Sequence, residues 1–416
     1  MTFRFIHTAD VHLDSPLRSL ALKNEELADL IRNCSRDAFE NIVEQSIELK
    51  VDALIVAGDL FDGEVRSMKT AAFVSNQMRR LNSAGIQVFM VKGNHDAESK
   101  IATQIPMPDN VHIFSGRSVT RRVEEAGIAI HGVSFPGRHI AESLLPRFPR
   151  PVDDFFNIGV LHTSLGGSAG HDAYAPCSEN DLAALGYDYW ALGHIHKRSV
   201  ANEHPYIVMP GIPQGRDIGE SGPKSATLVE VSNGKATIGE IAAAKAEFVL
   251  VPVNVAAISD WEQLLSILLE KLSEAGRNAV APTVVARIAL EGASPLHWRI
   301  RTGRDILHEQ LEEEVSSMDG IWIEKIETRT MPSNPESDAA DPIDELLNHL
   351  RSLSSDPSFR KQARDEWDSL LKQLPRNIRA DWGAMPPDEV DDLLHCLTVD
   401  GGEDIAASLK LERTGQ

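Results

Sequence analysis

The sequence predicts an α/β protein of more than one domain, and three observations carry that prediction. The first half alternates helical and strand periodicity and then becomes strand-rich, which argues for mixed rather than purely parallel sheets. Near Ala246 the pattern resets into a compact α+β unit. After the run Met331-Pro332-Ser333-Asn334-Pro335-Glu336-Ser337-Asp338, which reads as a linker, the remainder reads as acidic helix. With 416 residues the chain has room for about two to three domains. The expected boundaries are 1–245, 246–330 and 331–416.

The elements follow in order. Residues 3–9 form a first strand. Over 24–49, Leu27, Leu30, Ile31, Ile42, Val43 and Ile47 recur at helical spacing. A buried strand at 52–57, a helix at 67–83 and an apolar strand at 86–91 come next. Further strands are expected at 111–114, 128–133, 158–161, 187–192, 206–209, 226–231 and 237–241. In the second unit, strands at 248–253, 283–290 and 321–326 alternate with helices at 261–272 and 305–315. Beyond the linker, Ile343, Leu346, Leu347 and Leu350 make one apolar stripe, and Val390, Leu393, Leu394 and Leu397 make another.

Composition narrows the function. The chain has 41 basic and 62 acidic residues, a net charge of −21, and no segment carries a basic excess. Binding to DNA mainly by charge is therefore excluded, and cations or a partner must supply attraction for a nucleic-acid substrate. Cys34, Cys177 and Cys396 are odd in number and far apart, which excludes a disulfide framework and a cysteine-rich zinc module and suits a reducing cytoplasm. No apolar h-region and no apolar run of about 18 residues is present, so neither a signal peptide nor a membrane span is expected.

The chemistry sits just past the predicted strands. Asp10-Val11-His12, Gly58-Asp59, Gly93-Asn94-His95-Asp96, His162 and Gly193-His194-Ile195-His196 each follow or end one. Ligands of α/β sheets collect at the carboxyl ends of strands. Residues two apart in extended chain face the same way, about 6–7 Å apart, so Asp10 with His12 and His194 with His196 can each aim two donors into one cleft. A carboxylate has two oxygens and can serve two cations, and Asp59 is the candidate. Asn94 offers an amide oxygen. Nitrogen and oxygen donors without thiolate suit Mn, Fe or Zn. Two such cations about 3.5–4 Å apart are the arrangement used for in-line displacement at phosphorus.

These motifs resemble the calcineurin-like metallophosphoesterases, and the fuller match is to their DNA-repair nuclease branch of the SbcD/YhaO type. His7-Thr8-Ala9-Asp10-Val11-His12-Leu13-Asp14-Ser15-Pro16, Tyr187-Asp188-Tyr189-Trp190-Ala191-Leu192-Gly193-His194-Ile195-His196-Lys197 and Pro210-Gly211-Ile212-Pro213-Gln214-Gly215-Arg216-Asp217 support that match, which covers residues 3–231. The resemblance implies a four-layer αββα sandwich with a small α+β capping domain and a helical C-terminal segment. It implies a first cation, most simply Mn²⁺, on Asp10, His12, Asp59 and His196, and a second on Asp59, Asn94, His162 and His194, although spacing alone does not assign each histidine to its cation. A hydroxide bridging the cations would attack phosphorus, and His95 would protonate the leaving oxygen. DNA would be the substrate, an SMC-like coiled-coil ATPase of the SbcC/YhaN type the partner of the C-terminal helices, and a homodimer the assembly. Asp62 stands where archaeal and eukaryotic relatives carry a second histidine.

Two other functions compete: a small-molecule phosphodiesterase or nucleotidase with the same chemistry, which the acidic balance favours, and a non-catalytic subunit of an ATPase complex. Asp62 and Asp96 read as hydrogen-bond acceptors behind the ligands, and Asp14 as a turn or helix-start residue. His7, His112, His131, His139 and His171 read as packing or surface residues. The run Trp298-Arg299-Ile300-Arg301-Thr302-Gly303-Arg304 offers Arg299, Arg301 and Arg304 as phosphate contacts. Its alternative is a solvated strand or loop balancing Glu312-Glu313-Glu314.

Overall fold

The computed structural model describes residues 2–15, 25–63, 67–98, 106–137, 140–166, 174–333, 342–375 and 385–414, with 379, 382 and 383. His139, His171 and residues 334–338 of the expected linker lie outside the described residues. The chain divides into two compact units. The first comprises Met1–Leu250, Glu274–Arg287 and Gly320–Glu324, and the second Val251–Ser273, Ile288–Asp319 and Lys325–Gln416.

Along the chain, β1 (Thr2–Thr8), α1 (Glu25–Glu48), β2 (Ala53–Ala57), α2 (Met68–Ser83), β3 (Gln87–Val91), α3 (Asn94–Glu98) and β4 (Val111–Ile113) come first. Then follow β5 (Val119–Val123), β6 (Ile128–Val133), β7 (Phe156–His162), α4 (Glu179–Ala184), β8 (Tyr189–Gly193), β9 (Ser199–Glu203), β10 (Tyr206–Met209), β11 (Ser225–Ser232) and β12 (Lys235–Ala242). They make two six-stranded sheets, ordered β12-β11-β1-β2-β3-β4 and β5-β6-β7-β8-β10-β9. β1 to β4 run parallel, as do β6, β7, β8 and β10, whereas β11, β12, β5 and β9 pair antiparallel.

Burial explains the layering. Every residue of β2, β6, β7 and β8 is buried, which is why these strands read as continuous apolar runs. Phe39, Ile42 and Val43 of α1 and Val74, Met78 and Leu81 of α2 cover the outer face of the first sheet through Ile6, Leu54, Val56 and Val88. Phe5, Ile55 and Phe89 meet Ile158, Val160 and Tyr189 between the sheets. Each such side chain contributes roughly 1.5–3 kcal/mol of burial. The outer face of the second sheet, with Leu161, Trp190 and Leu192, is covered by Leu145, Phe148 and Leu182. That fourth layer is thin: a 3₁₀ turn at Leu145–Arg147 and the short α4 serve where long helices cover the first sheet.

The third sheet has the order β13 (Ala246–Asn254), β14 (Thr283–Ser294), β15 (Ile321–Pro332). α5 (Trp261–Asn278) buries Trp261, Leu264, Leu268 and Leu272 at helical spacing. α6 (His297–Thr302), α7 (Arg304–Val315), α8 (Pro342–Leu353), α9 (Pro357–Gln373) and α10 (Pro387–Thr414) complete the chain. Ile343 and Leu347 of α8 pack with Ala406 of α10, whereas Leu346 and Leu397 of the expected stripes stay exposed. Among the described residues no helix is long and apolar enough to cross a membrane.

Candidate metal centre

Each candidate side chain sits where a strand ends. Asp10 and His12 follow β1, Asp59 follows β2, and Asn94 and His95 open α3 beyond β3. His162 is the last residue of β7, and His194 and His196 follow β8. The chain turns sharply at four of these positions: Asp10, His12, Asp59 and His194 have φ of 53°, 45°, 50° and 105°. That left-handed region is costly for residues with a Cβ and collects at functional sites. Gly58, at φ 96°, lets the loop turn with His162 so close that a Cβ there would lie 2.5 Å from its Nδ1.

Backbone donors hold the loops together. Asp10 N–H donates to Gly58 O and His12 N–H to Asp59 O, both at 3.0 Å. The Asp10 carboxylate accepts the His194 N–H at 3.1 and 2.9 Å, and Asp59 Oδ1 accepts the His95 N–H at 2.9 Å. Asp96 accepts the Phe61 and Gly93 N–H groups at 2.9 and 3.1 Å. Burial lifts the Asp96 carboxyl to about 6.

What remains is a set of nitrogen and oxygen atoms aimed at each other. His162 Nδ1 lies 3.0 Å from Ala57 O. A carbonyl only accepts, so Nδ1 carries the hydrogen and Nε2 faces inward. That Nε2 lies 3.1 Å from Asn94 Oδ1 and 3.3 Å from Asp59 Oδ2. Asp59 Oδ2 is also 3.9 Å from His12 Nε2, which lies 3.2 Å from His196 Nε2. Each of these pairs needs either a proton or a cation between its two atoms. Asp10, His12 and His196 each offer a ligand atom within 4.8 Å of the others, and so do Asp10, Asp59 and His162. The His194 ring lies 5.2 Å from that of His162. All seven candidate ligands are thus brought into one cluster, and its donor chemistry fits divalent cations.

The electrostatics agree. Burial pulls His12 down to about 3 and His194 to about 4, so both present neutral nitrogens. Burial likewise opposes charge on His162, but Asp59 and Asp10 outweigh it and raise that histidine to about 9. Here a proton takes the place of a cation. Burial also works against ionising Asp59, yet His162 and His12 hold its carboxyl well below the usual range. His95 stands at the mouth, its ring 4.9 Å from His12 and its Nδ1 3.5 Å from Asp62 Oδ1. Hydrogen bonding to Asp62 raises the His95 pKa.

Other residues meet expectation in part. Asp14, at φ 60°, has its carboxylate gripped by Arg36 Nε and Nη2 at 2.6 and 2.5 Å and by the Thr70 hydroxyl. It lies in a turn, as expected, and is in addition an ion-pair partner tying the loop after β1 to α1 and α2. His7 and His131 are buried and hydrogen-bonded, to Tyr189 and Leu192 and to Thr120 and Asn157. Arg299, Arg301 and Arg304 belong to the second unit and sit on or beside the short helix α6. Arg301, only 10% exposed, pairs with Asp400, Glu403 and Asp404 of α10 at 3.3, 2.9 and 2.7 Å. Arg304 lies 3.6 Å from Asp404, and Arg299 stacks 4.8 Å from the Trp261 ring. Among the described residues the counter-charges of Arg301 and Arg304 come from α10 and not from Glu312-Glu313-Glu314. Glu220, absent from the sequence reading, accepts from His196 Nδ1 at 2.6 Å. The only sequence signal for it is its place four residues after Arg216.

A calcineurin-like phosphoesterase family model matches residues 3–198, and one for the middle domain of metallophosphoesterase YhaO matches residues 248–331. The chain is 35% identical over 335 residues to the uncharacterized metallophosphoesterase YhaO of Bacillus subtilis, covering 78% of this chain and 81% of that protein. Archaeal proteins described as DNA double-strand break repair protein Mre11 are more distant. That of Sulfolobus acidocaldarius is 22% identical over 74% of this chain and 78% of its own length. That of Methanocaldococcus jannaschii is 26% identical over 47% of this chain and 51% of its own length, so the match spans about half of that relative. The histidine-rich rim between two mixed sheets and the 35% identity to YhaO point the same way: the chain belongs to the calcineurin-like metallophosphoesterases, hydrolases of phosphoester bonds, and is of the YhaO type.

Proposed function

We propose that the chain is a di-metal phosphodiesterase acting on DNA in repair or recombination. Asp10, His12, Asp59 and His196 would hold one divalent cation, and Asp59, Asn94, His162 and His194 the other, with Mn²⁺ the most suitable ion. The observation that carries this reading is the position of Asp59 Oδ2, 3.3 Å from His162 Nε2 and 3.9 Å from His12 Nε2, facing both donor groups at once. When bound, such cations supply Lewis-acid stabilisation of phosphoryl charge and a water of lowered pKa.

The chain's own residues do the rest. Asp62 orients His95 through Nδ1, which leaves His95 Nε2 to hold a proton for the departing oxygen, a role worth about 10²–10⁴-fold in rate. Asp10, with its carboxylate fixed by the His194 N–H, and His162, with its tautomer fixed by Ala57 O, keep the donors aimed inward. Residues 1–245 would form the nuclease domain and 246–330 a capping domain that helps select the substrate. The helices of 331–416 would dock on an SMC-like coiled-coil ATPase, and the chain would work as a homodimer. Three free cysteines suit a reducing cytoplasm.

The test supplies Mn²⁺ and compares linear duplex DNA, single-stranded DNA and a small chromogenic phosphodiester. Cleavage of DNA is expected. Turnover of the small ester alone would favour a small-molecule phosphodiesterase, the reading that the net charge of −21 supports. Deleting residues 338–416 should abolish co-purification with the ATPase, and retained co-purification would remove the docking role.

A further inference from the structure

The outward nitrogens of the candidate ligands are held in different ways. His162 Nδ1 bonds to a neutral carbonyl, Ala57 O, at 3.0 Å. His12 Nδ1 is buried with no hydrogen-bond partner among the described residues. His196 Nδ1 instead meets a carboxylate, Glu220 Oε1, at 2.6 Å, nearer than the Arg216 Nη2 at 3.2 Å, so Nδ1 donates to the carboxylate and Arg216 directs its hydrogens to Glu220. Glu220 is 15% exposed and is itself held in place. Arg216 Nη2 donates to Oε1 at 2.7 Å, Arg216 Nε reaches both oxygens at 3.2 Å, and the Arg216 backbone N–H donates to Oε2 at 2.9 Å.

The loop that carries this group is built against His196. Ile212 N–H donates to His196 O at 3.0 Å. A Cβ on Gly211 would lie 2.8 Å from that same carbonyl, and one on Gly215 would lie 2.7 Å from Glu220 O. Chain 211–220 thus folds back so tightly that Glu220 meets the ring of a residue 24 positions earlier.

We propose that Glu220 is a positioning residue that fixes His196 as the Nδ1–H tautomer, aims its Nε2 at Asp10 and His12, and thereby sets the affinity of one of the two cations. Arg216 locks the carboxylate in the orientation that does this. A histidine nitrogen backed by a carboxylate is a stronger ligand, and loss of such a partner typically weakens metal binding by about 10–100-fold. The effect falls on one cation because Glu220 touches His196 and not His162. This inference rests on the di-metal reading.

The experiment is a calorimetric titration of Mn²⁺ into the full chain stripped with EDTA, for the wild type, Glu220→Gln and Glu220→Leu, with metal-free melting temperatures alongside. The wild type is expected to bind two ions. Glu220→Leu should weaken one of them by about 10–100-fold and leave the other unchanged. Glu220→Gln keeps an acceptor for Nδ1–H but loses the charge, and should fall between. Failure of the wild type to bind two ions would remove the di-metal reading itself. Two ions in the wild type with unchanged isotherms in both variants would overturn the role of Glu220 alone. Equal weakening of both ions with a lowered metal-free melting temperature, or failure of the variants to fold, would make Glu220 a structural residue and overturn the proposal as well.

Discussion

Gly93→Ala tests how much of the site depends on close approach. A Cβ at residue 93 would lie 2.2 Å from Asp59 Oδ1, 2.7 Å from its Cγ and 2.9 Å from its backbone N. Restoring ordinary contact requires a relative movement of about 1 Å. Asp59 is 2% exposed, so its carboxylate cannot swing into solvent. Gly93 is fixed as well, since its N–H donates to Asp96 and its carbonyl accepts from Ala97 N–H. The movement therefore falls on the carboxylate proposed to serve both cations, and on the 2.9 Å bond from His95 N–H to Asp59 Oδ1. Overpacking of this kind costs about 1–3 kcal/mol, and a 1 Å misplacement at a reacting centre costs about 10²-fold in rate. In a unit of this size the stability loss lowers the melting temperature by about 2–4 °C per kcal/mol. The assay is Mn²⁺-dependent hydrolysis of bis(p-nitrophenyl) phosphate, paired with melting curves in EDTA and in Mn²⁺. Activity should fall by about 10²-fold or more, and the stabilisation gained from Mn²⁺ should shrink because affinity has fallen. Wild-type turnover together with an undiminished Mn²⁺ shift would show that Asp59 keeps its place beside the added methyl group.

Further predictions separate the parts of the site. His95→Asn should lower kcat by about 10²–10⁴-fold with Mn²⁺ stoichiometry unchanged, and unchanged kcat would show that His95 is not the proton donor. Asp59→Asn should instead reduce the Mn²⁺ content of the purified protein, with equal content by elemental analysis counting against a shared carboxylate. Arg301→Ala should loosen α10 by about 1 kcal/mol, an effect that salt reduces, because much of the pairing with Asp400, Glu403 and Asp404 is exposed; hydrogen exchange over 387–414 that does not change would contradict it. Burial lowers His7 to about 3, whereas an unfolded histidine titrates near 6.5. Its neutral form is therefore fully compatible with folding above pH of about 6.5, and stability is lost as pH falls from there towards 3. In EDTA, urea unfolding of the wild type should lose about 2 kcal/mol more than His7→Gln between pH 7 and 5, and parallel losses would argue against the shift.

How far the sequence reveals the fold depends on where a strand lies in its sheet. Interior strands such as β6, buried at every residue, announce themselves as unbroken apolar runs. β5, Val119-Thr120-Arg121-Arg122-Val123, and β9, Ser199-Val200-Ala201-Asn202-Glu203, do not read as strands, and both are edges of the second sheet. Edge strands carry charge and polarity that discourage pairing with other chains, so the apolar signal is lost where it is least needed. In Trp298-Arg299-Ile300-Arg301-Thr302 the alternation suggests a strand, yet α6 buries His297 and Ile300, three residues apart, as a helix does. The ligand cluster is legible because strand ends deliver it, one short motif per strand. Glu220 and the acidic partners of Arg301 are not, since a contact across 24 or 99 residues leaves no periodicity to read.

The left-handed turns at Asp10, His12, Asp59 and His194 explain why the motifs have to follow strands at all. Sparsely populated backbone of this kind costs roughly 1–3 kcal/mol per residue. Four such residues within one rim exceed what a loop could sustain by itself. For Asp10, His12 and Asp59 the offset comes from β1 and β2, whose pairing runs on past their ends: Asp10 N–H to Gly58 O, His12 N–H to Asp59 O, and Leu13 N–H to Leu60 O at 3.1 Å. Leu13 and Phe61, buried at 0% and 4% exposure, then close this extension with a bridge of their own. These three turns are clamped between a buried sheet on one side and a buried bridge on the other, and His194 is tied to them by its N–H on the Asp10 carboxylate. A chain held in this way keeps its donors converged by its own fold, so the ordering cost is met during folding and the proposed cations would need little rearrangement.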